Sequence, residues 1–311
     1  MSQELIVDTE NLVKSYGKLN AVDGVTLKID EGEIFGFLGP NGAGKTTTIL
    51  MLLGLTEPTS GTVKVCGFNP AREPLKVKSQ VGYLPEKIGF YEDLSARENL
   101  GYTASLNGMR RKDMKARIDN VIDMVGLSGR ADEKVGKFSH GMKQRLGIAD
   151  VMIKEPRVIF FDEPTSGIDP QGVDEMLKLI KHMAADNITA IISTHQLHQI
   201  QTICTKVGIM SKGKMIAEGP ISMLGKDAMA HGKYQIQVQA SPLEASLIDT
   251  IKNIEGVERA DKIGDSLLVT CSSDLRQKIS AAVINSGAAL LGLKMEEYNL
   301  QDIYLNIFRE S

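Results

Sequence analysis

Residues 39–46 have the types and spacing needed to bind a chain of phosphates. They read Gly-Pro-Asn-Gly-Ala-Gly-Lys-Thr and match the pattern G-x4-G-K-[ST]. The glycines let backbone N–H groups turn inward to phosphate oxygens, and the following helix adds its positive N-terminal end. Lys45 supplies a charge for the β- and γ-phosphates, and Thr46 a hydroxyl for Mg²⁺. The alternative is a purely structural turn, but the loop lies between an apolar run and a helical segment, as phosphate loops require.

A second candidate group follows the apolar run at 158–161, which ends in Asp162 and Glu163. Ligands of open α/β sheets bind at the carboxyl ends of strands, so Asp162 is expected beside the phosphate loop, where it would hold Mg²⁺ through water. Glu163 would polarise the attacking water as a general base. Taken alone, such a run is more often a plain strand end; the phosphate loop upstream reverses that preference.

Two further features could contact phosphate, and each has an ordinary structural alternative. Ser139 and Gly141 come at the start of a predicted helix, so Ser139 can cap it while the helix end faces an anion. A simple N-cap explains the same residues. His195 follows a strand-like run and could donate to a γ-phosphate, although a lone histidine is more often structural.

The elements that must position these residues alternate between strand and helix. Apolar or alternating runs predict strands, and amphipathic stretches predict helices, one of them opening with a capping box at Ser95 and Glu98. This alternation predicts an α/β fold with a mainly parallel sheet. We expect helices at 45–53 and 171–185, a helical pattern from 95 to about 149, and strands at 5–7, 25–29, 34–38, 61–65, 81–85, 158–161, 189–193 and 207–210.

The pattern changes after about residue 225. The order of elements there is β-α-β-β-α-β, the ferredoxin-like α+β motif. We therefore divide the chain into domains 1–225 and 230–311, with a linker at 220–233. The second domain carries no catalytic motif and is interpreted as a module that adds dimer contacts, or as a ligand-sensing one. We expect strands at 234–239, 257–262, 266–270 and 290–295, and helices at 242–253, 273–286 and 299–309.

Length and composition bound the possible functions. The 311 residues predict two domains. The formal charge of −3, from 36 basic and 39 acidic side chains, gives no electrostatic case for nucleic acid. Cys66, Cys204 and Cys271 have neither metal-site nor disulfide spacing and are interpreted as buried residues in a reducing compartment.

No segment of the chain is expected to enter a membrane. The N-terminus lacks a basic stretch followed by an apolar run, and no window approaches the roughly 18 apolar residues that span a bilayer. We expect a cytoplasmic protein whose membrane role comes only through a partner.

Taken together and in this order, these residues resemble the ATP-binding subunit of ABC transporters from residue 4 to about residue 220. Residues 39–46 look like its Walker A loop, 158–163 like its Walker B strand with the catalytic glutamate, 139–144 like its LSGGQ signature and 166–169 like its D-loop. The resemblance implies a P-loop ABC-type ATPase fold: a parallel-sheet core with an antiparallel β-subdomain and a helical subdomain. It also implies ATP and Mg²⁺ as cofactors.

The resemblance assigns roles to single positions. Tyr16 would stack on adenine, and His195 is the switch histidine. The catalytic residues implied are Lys45, Glu163 and His195, and the metal-binding residues are Thr46, Glu86 and Asp162. The ATP-binding residues implied are Tyr16, Gly39, Pro40, Asn41, Gly42, Ala43, Gly44, Lys45, Thr46, Thr47, Ser139, Gly141 and Asp169.

By the same resemblance, two copies pair head to tail. Each ATP lies between the Walker A loop of one copy and the signature of the other, where the N–H groups of Ser139 and Gly141 contact the γ-phosphate. A highly charged ligand shared by two surfaces can hold them together until hydrolysis removes a phosphate.

The signature and the Q-loop depart from the family pattern. His140 stands where Gly is usual, and Met142 where Gln is usual; Ser139 and Gly141 are present, so ATP binding is expected. Glu86 stands where the Q-loop has Gln, and a carboxylate can bind Mg²⁺ or its water but cannot donate a hydrogen bond. The Leu-Pro-Glu form and the added C-terminal domain look like subunits of ABC-2-type exporters.

We therefore expect an ATP hydrolase that energises export through a separately encoded membrane permease. The segment at 88–102 would face that permease, with Phe90 and Tyr91 either as docking aromatics or as plain surface or core residues. The alternative is a soluble ABC ATPase of translation or DNA repair, but the chain has neither a second phosphate loop nor a heptad run. A non-hydrolysing module is disfavoured because the expected catalytic and metal-binding residues are all in place: Lys45, Asp162, Glu163 and His195.

Overall fold

The computed structural model describes residues 5–221, 223–224 and 234–295. The chain divides after Ile221 into two compact units. Most of the expected linker at 220–233 and the whole expected helix at 299–309 lie outside the described residues. None of the helices in the described ranges is long and apolar enough to cross a bilayer.

The first unit alternates strands and helices for most of its length. In chain order its elements are β1 (Leu5–Tyr16), β2 (Leu19–Asp30), β3 (Ile34–Leu38), α1 (Lys45–Leu52), β4 (Ser60–Val65), α2 (Pro74–Gln80), β5 (Val81–Leu84), α3 (Ala96–Leu106), α4 (Arg111–Met124), α5 (His140–Met152), β6 (Val158–Asp162), α6 (Pro170–Ala185), β7 (Thr189–Thr194), α7 (Leu197–Ile200), β8 (Lys206–Ser211) and β9 (Lys214–Pro220).

A six-stranded sheet forms the centre of this unit, in the order β5-β6-β7-β3-β8-β9. Every pairing is parallel except that of β8 with β9. All residues of β3, β6 and β7 are buried, because their apolar runs are covered on both faces. The parallel α/β sheet predicted from the sequence is confirmed. The carboxyl ends of β3, β6 and β7 therefore meet at one edge.

A second, antiparallel sheet has the order β2-β1-β4. Its strands β1 and β2 each span 12 residues, far beyond the short strands expected at 5–7 and 25–29. Register shifts between Thr9 and Leu12, and again at Lys14, interrupt the alternation of buried and exposed residues. The two sheets share one hydrophobic core that includes Leu27, Phe37 and Phe160.

The helical pattern expected over 95–149 corresponds to three separate helices, α3, α4 and α5. Gly108 and Gly126 adopt positive φ values of 72° and 66° just after α3 and α4 and end them. The capping box at the start of α3 is confirmed, with Ser95 and Glu98 exchanging hydrogen bonds.

The second unit is a small sheet with two helices. Its elements are β10 (Tyr234–Ser241), α8 (Ala245–Lys252), β11 (Val257–Ile263), β12 (Ser266–Cys271), α9 (Arg276–Asn285) and β13 (Ala289–Met295). The sheet order is β11-β12-β10-β13, with every pair antiparallel. The predicted β-α-β-β-α-β order is confirmed. Aliphatic side chains such as Ile236, Val269 and Ile279 form a core of its own.

Candidate functional site

The loop between β3 and α1 owes its path to glycine. Gly44 has φ 105°, and a Cβ there would collide with the carbonyl oxygen of Ala21. Gly44 is also the N-cap of α1, whose first-turn amides have no side-chain cap. Unpaired amides at a helix start form an anion-binding site.

Lys45, the first residue of α1, is buried inside this loop. Its Nζ donates to the carbonyl oxygens of Gly39 at 2.6 Å and Pro40 at 3.2 Å. Burial lowers the pKa of the Lys45 ammonium, and the nearby carboxylates of Glu163 and Asp162 oppose that shift. The loop carbonyls thus hold the ammonium group close to the loop amides.

Thr46 and Asp162 meet at the sheet edge although 116 positions separate them in the sequence. The Thr46 hydroxyl donates to Asp162 Oδ2 at 3.1 Å. Burial raises the pKa of Asp162, while the nearby Ser193 and Thr46 hydroxyls act in the opposite direction. The parallel pairing of β6 with β7, and of β7 with β3, produces this approach.

Glu163 lies immediately after β6 in a left-handed backbone conformation, with φ 49°. Its side chain is largely buried and makes two hydrogen bonds with consecutive residues at the end of β7. The Thr194 hydroxyl donates to Oε2 at 2.9 Å, and His195 Nδ1 lies 2.8 Å from Oε1. Since an ionised carboxylate only accepts hydrogen bonds, Nδ1 carries the proton. Nε2 is then the ring nitrogen left to contact a phosphate, and it donates only when the ring is charged.

Lys45, Thr46, Asp162 and Glu163 line one cleft of about 540 Å³. Of the predicted residues, Asn41, Gly42, Ala43, Gly44, Lys45, Thr46, Thr47, Glu86, Asp162 and Glu163 line it. Leu19, Asn20, Ala21, Lys212 and Gly213 line it too, and the sequence analysis missed them. Nothing in the spacing of residues 211–214 ties them to the phosphate loop in the sequence. In the structure, the Gly213 amide donates to the Ala43 carbonyl at 3.0 Å.

Seven predicted residues do not line this cleft. Three of them, Gly39, Pro40 and His195, are hydrogen-bonded to residues that do. The other four are Ser139, Gly141, Asp169 and Tyr16. Ser139 caps α5, its hydroxyl accepting from the Met142 amide at 3.3 Å, and Gly141 is in the first turn of that helix. Asp169 is the exposed N-cap residue of α6. Tyr16 ends β1, is 54% exposed and has the Lys14 ammonium 5.1 Å from its ring centroid. Contacts of these four residues with ATP stay predictions.

The donor set in the cleft fits Mg²⁺. Within the described ranges, no three His, Cys, Asp or Glu side chains are grouped to hold a metal. Mg²⁺ does not need such a cage, since it binds through one or two carboxylates together with substrate phosphates. Thr46, Glu86 and Asp162 supply oxygen ligands of that kind beside the phosphate loop.

Comparison with known proteins decides the family. Residues 22–166 match the family described as ABC transporter. The bacitracin transport ATP-binding protein BcrA of Bacillus licheniformis is 37% identical over 305 residues, covering 97% of each chain. This chain belongs to the ABC transporter family.

Two other proteins are similar to this chain, which is therefore an ABC subunit. The linearmycin resistance ATP-binding protein LnrL of Bacillus subtilis is 33% identical over 97% of this chain and 98% of its own. The solved structure of cbiO1 from Clostridium perfringens, part of the ABC transporter complex cbiONQ, superposes with a TM-score of 0.66 at 27% identity. It covers 73% of this chain and 94% of that one.

The ABC subunit therefore binds ATP, and it hydrolyses ATP to energise transport. The alternative of an ATPase in translation or repair is not favoured, because relatives that match nearly the whole chain are transport and resistance proteins. The ABC-type fold expected from the sequence is confirmed by the superposed structure.

Proposed function

We propose that the ABC subunit powers export of a toxic, antibiotic-like compound through a separately encoded membrane permease. One observation carries the energising role: the ends of two buried parallel strands, β3 and β6, bring Lys45, Asp162 and Glu163 into one cleft. The export direction is supported by the relative that confers linearmycin resistance, because removal of a compound from the cell protects against it.

Each cleft residue has a proposed role in hydrolysis. Lys45 and the loop amides bind the β- and γ-phosphates, and Glu163 accepts the proton of the attacking water. Thr194 and His195 fix that carboxylate through the two hydrogen bonds described above. Thr46, Glu86 and Asp162 would hold Mg²⁺, which when bound neutralises charge on the phosphate oxygens.

A second copy of the chain completes the site in this proposal. Ser139 and Gly141 start α5 with its amides directed along the helix axis, where a helix end stabilises negative charge. They lie outside the chain's own cleft, which supports their assignment to the ATP of a partner copy. Asp169 would reach the same interface, and Tyr16 would contact the adenine beside Leu19 and Asn20.

A groove of about 290 Å³ is the proposed permease-docking surface. Apolar Leu55, half-buried Tyr83 and residues Thr103 and Asn107 of α3 contribute to it. Tyr102 and Leu106, on the same helix, are 48% and 71% exposed, and Tyr91 packs edge-on against Tyr102 at 5.3 Å. Exposed aromatic and aliphatic side chains of this kind mark protein interfaces. Binding here would hold the subunit on the inner face of the membrane.

The domain division 1–225 and 230–311 is likewise proposed, with the second domain adding dimer contacts or sensing a ligand. Truncation after Ile221 addresses it. The shortened chain should keep its affinity for a fluorescent ATP analogue, and loss of that affinity would contradict the division.

Glu163→Gln tests the catalytic assignment. The variant should bind ATP, lose phosphate release and remain an ATP-bound dimer, measured by light scattering behind size-exclusion chromatography. Glu133→Gln is the matched control, because Glu133 pairs with Arg130 on another surface. An unchanged turnover rate in Glu163→Gln would remove that residue from its role.

The export assignment needs the membrane partner. The chain should move to the membrane fraction when coexpressed with the permease encoded beside it, and Tyr102→Asp should return it to the supernatant. A chain that stays in the supernatant beside every candidate permease contradicts the proposal.

A further inference from the structure

His140, the first residue of α5, makes a contact outside its own helix. Its ring is exposed, and Nε2 lies 2.9 Å from the carbonyl oxygen of Ser166. A carbonyl oxygen can only accept a hydrogen bond, so Nε2 carries a proton and donates it. The glycine usual at this position of the signature has no side chain to make this bond.

Ser166 belongs to the tight turn that begins at Glu163. The Ser166 amide donates to the Glu163 carbonyl at 3.1 Å, which closes the turn. Beyond it, a Cβ on Gly167 would lie 3.5 Å from Cδ2 of the His140 ring, so the imidazole packs against this backbone. One side chain therefore connects the start of α5 to the turn that carries the candidate general base.

Helix initiation does not require the His140 ring. The Ser139 hydroxyl already caps α5, and the Ser139 carbonyl accepts the Lys143 amide at 2.9 Å. Because the ring is exposed, its removal opens no cavity in the core. The hydrogen bond to Ser166 is the contact left to account for a histidine here.

We propose that His140 is a positioning residue that couples the two ATP sites of the dimer. This inference rests on the proposed function, in which the start of α5 contacts the partner's ATP and Glu163 acts on the chain's own. When α5 closes on the partner's nucleotide, the bond from His140 pulls on the Glu163–Ser166 turn. Each site then reports its occupancy to the other through a single side chain.

The test compares variants of the full-length chain in steady-state ATP hydrolysis over a range of ATP concentrations. His140→Leu keeps similar bulk without a donor, and His140→Gln places an amide nitrogen where it can donate in place of Nε2. The wild type should give a Hill coefficient above unity, bounded by the number of coupled sites. His140→Leu should reduce it to unity and raise the half-saturating ATP concentration about fivefold, the effect expected of one hydrogen bond. His140→Gln should restore both.

Two further measurements separate coupling from a structural role. The affinity of dilute, monomeric chain for a fluorescent ATP analogue and the midpoint of thermal unfolding should be unchanged in His140→Leu. A fall in either shows that the ring supports the fold and overturns the inference. Wild-type cooperativity retained in His140→Leu, a non-cooperative wild type, or failure of His140→Gln to restore coupling overturns it too. A wild-type chain that neither hydrolyses ATP nor dimerises would contradict the proposed function itself, before the role of His140 is tested.

Discussion

The two units of the chain bury different kinds of side chain. Within the described residues, every buried polar or charged side chain lies in the first unit, including Lys45, Asp162 and Glu163. The second unit buries aliphatic residues and Cys271. Burying a charge costs free energy unless it is paired. The first unit therefore gives up stability to hold reactive groups, whereas the buried side chains described in the second unit contribute packing.

Backbone conformation divides the units in the same way. Non-glycine residues with positive φ occur, among the described residues, only in the first unit. Glu163 and Lys212, which both line the cleft, are among them. Such conformations concentrate at functional sites because surrounding structure must enforce them.

The largest expected effect on ATP affinity separates buried Lys45 from half-buried Lys154, both in the first unit. Lys45→Ala should weaken ATP binding by about 3 kcal/mol, or more than a hundredfold, because it removes a buried charge that faces the phosphates. Lys154→Ala is the control, since burial also lowers the pKa of Lys154 but its Nζ donates to the Lys78 carbonyl elsewhere. Titration with a fluorescent ATP analogue measures the affinity of both variants. Equal losses of affinity would show that removing any partly buried lysine weakens binding, whether or not it faces the phosphates.

The second effect tests the packing unit. Ile236→Ala removes a fully buried side chain from β10 and should cost about 2–5 kcal/mol of that unit's free energy of unfolding. ATP affinity should not change. The matched variant Ile49→Ala, in the core behind the phosphate loop, should lower both the free energy of unfolding of the first unit and its ATP affinity. Denaturant unfolding followed by circular dichroism, with nucleotide titration alongside, distinguishes them; loss of ATP binding in Ile236→Ala contradicts the comparison.

A smaller effect is expected where a buried hydroxyl serves the chemistry. Thr194→Val removes the hydrogen bond to Glu163 and should lower kcat about tenfold while KM stays, since about 1.4 kcal/mol of positioning is lost. Thr9→Val is the control, because its buried hydroxyl bonds to the Val25 carbonyl in the antiparallel sheet. Phosphate-release kinetics give kcat and KM, and a normal kcat would mean that His195 alone holds the carboxylate.

The smallest effect is a dependence of stability on pH. Burial raises the pKa of Asp150, against the opposing influence of Thr103 and Lys154. The folded state thus favours the protonated form, and this stabilisation is lost as the pH rises from the ordinary aspartate range near 4 through the raised value. Asp150→Asn should remove this pH-dependent part of the free energy of unfolding, which is less than about 1 kcal/mol, because an amide does not titrate. The amide keeps the shape and hydrogen-bonding capacity of the protonated carboxyl group, so little else should change. Thermal midpoints of both proteins across that range provide the check, and parallel curves would contradict it.

The sequence predicted the site where local chemistry determines the structure. An apolar run, a glycine loop and a helical pattern are enough to predict the β3–α1 segment. Asp162 is predicted beside it because the carboxyl ends of parallel strands lie at the same edge of the sheet. The long strands β1 and β2 were underestimated because their register shifts disturb the alternation. Contacts made by distant segments left no local signal. The bond of Thr194 to Glu163, the approach of Lys212 to the cleft and the contact of His140 with Ser166 are all of this kind.

The left-handed backbone at Glu163 has a consequence for descendants of this protein. Glycine and asparagine adopt that conformation more readily than glutamate does. The proposed general base requires a carboxylate at this point, although the backbone suits another residue better. A related protein that no longer needs to hydrolyse ATP could therefore carry Gly or Asn at this position. Such a substitution would indicate the loss of hydrolysis from the sequence alone.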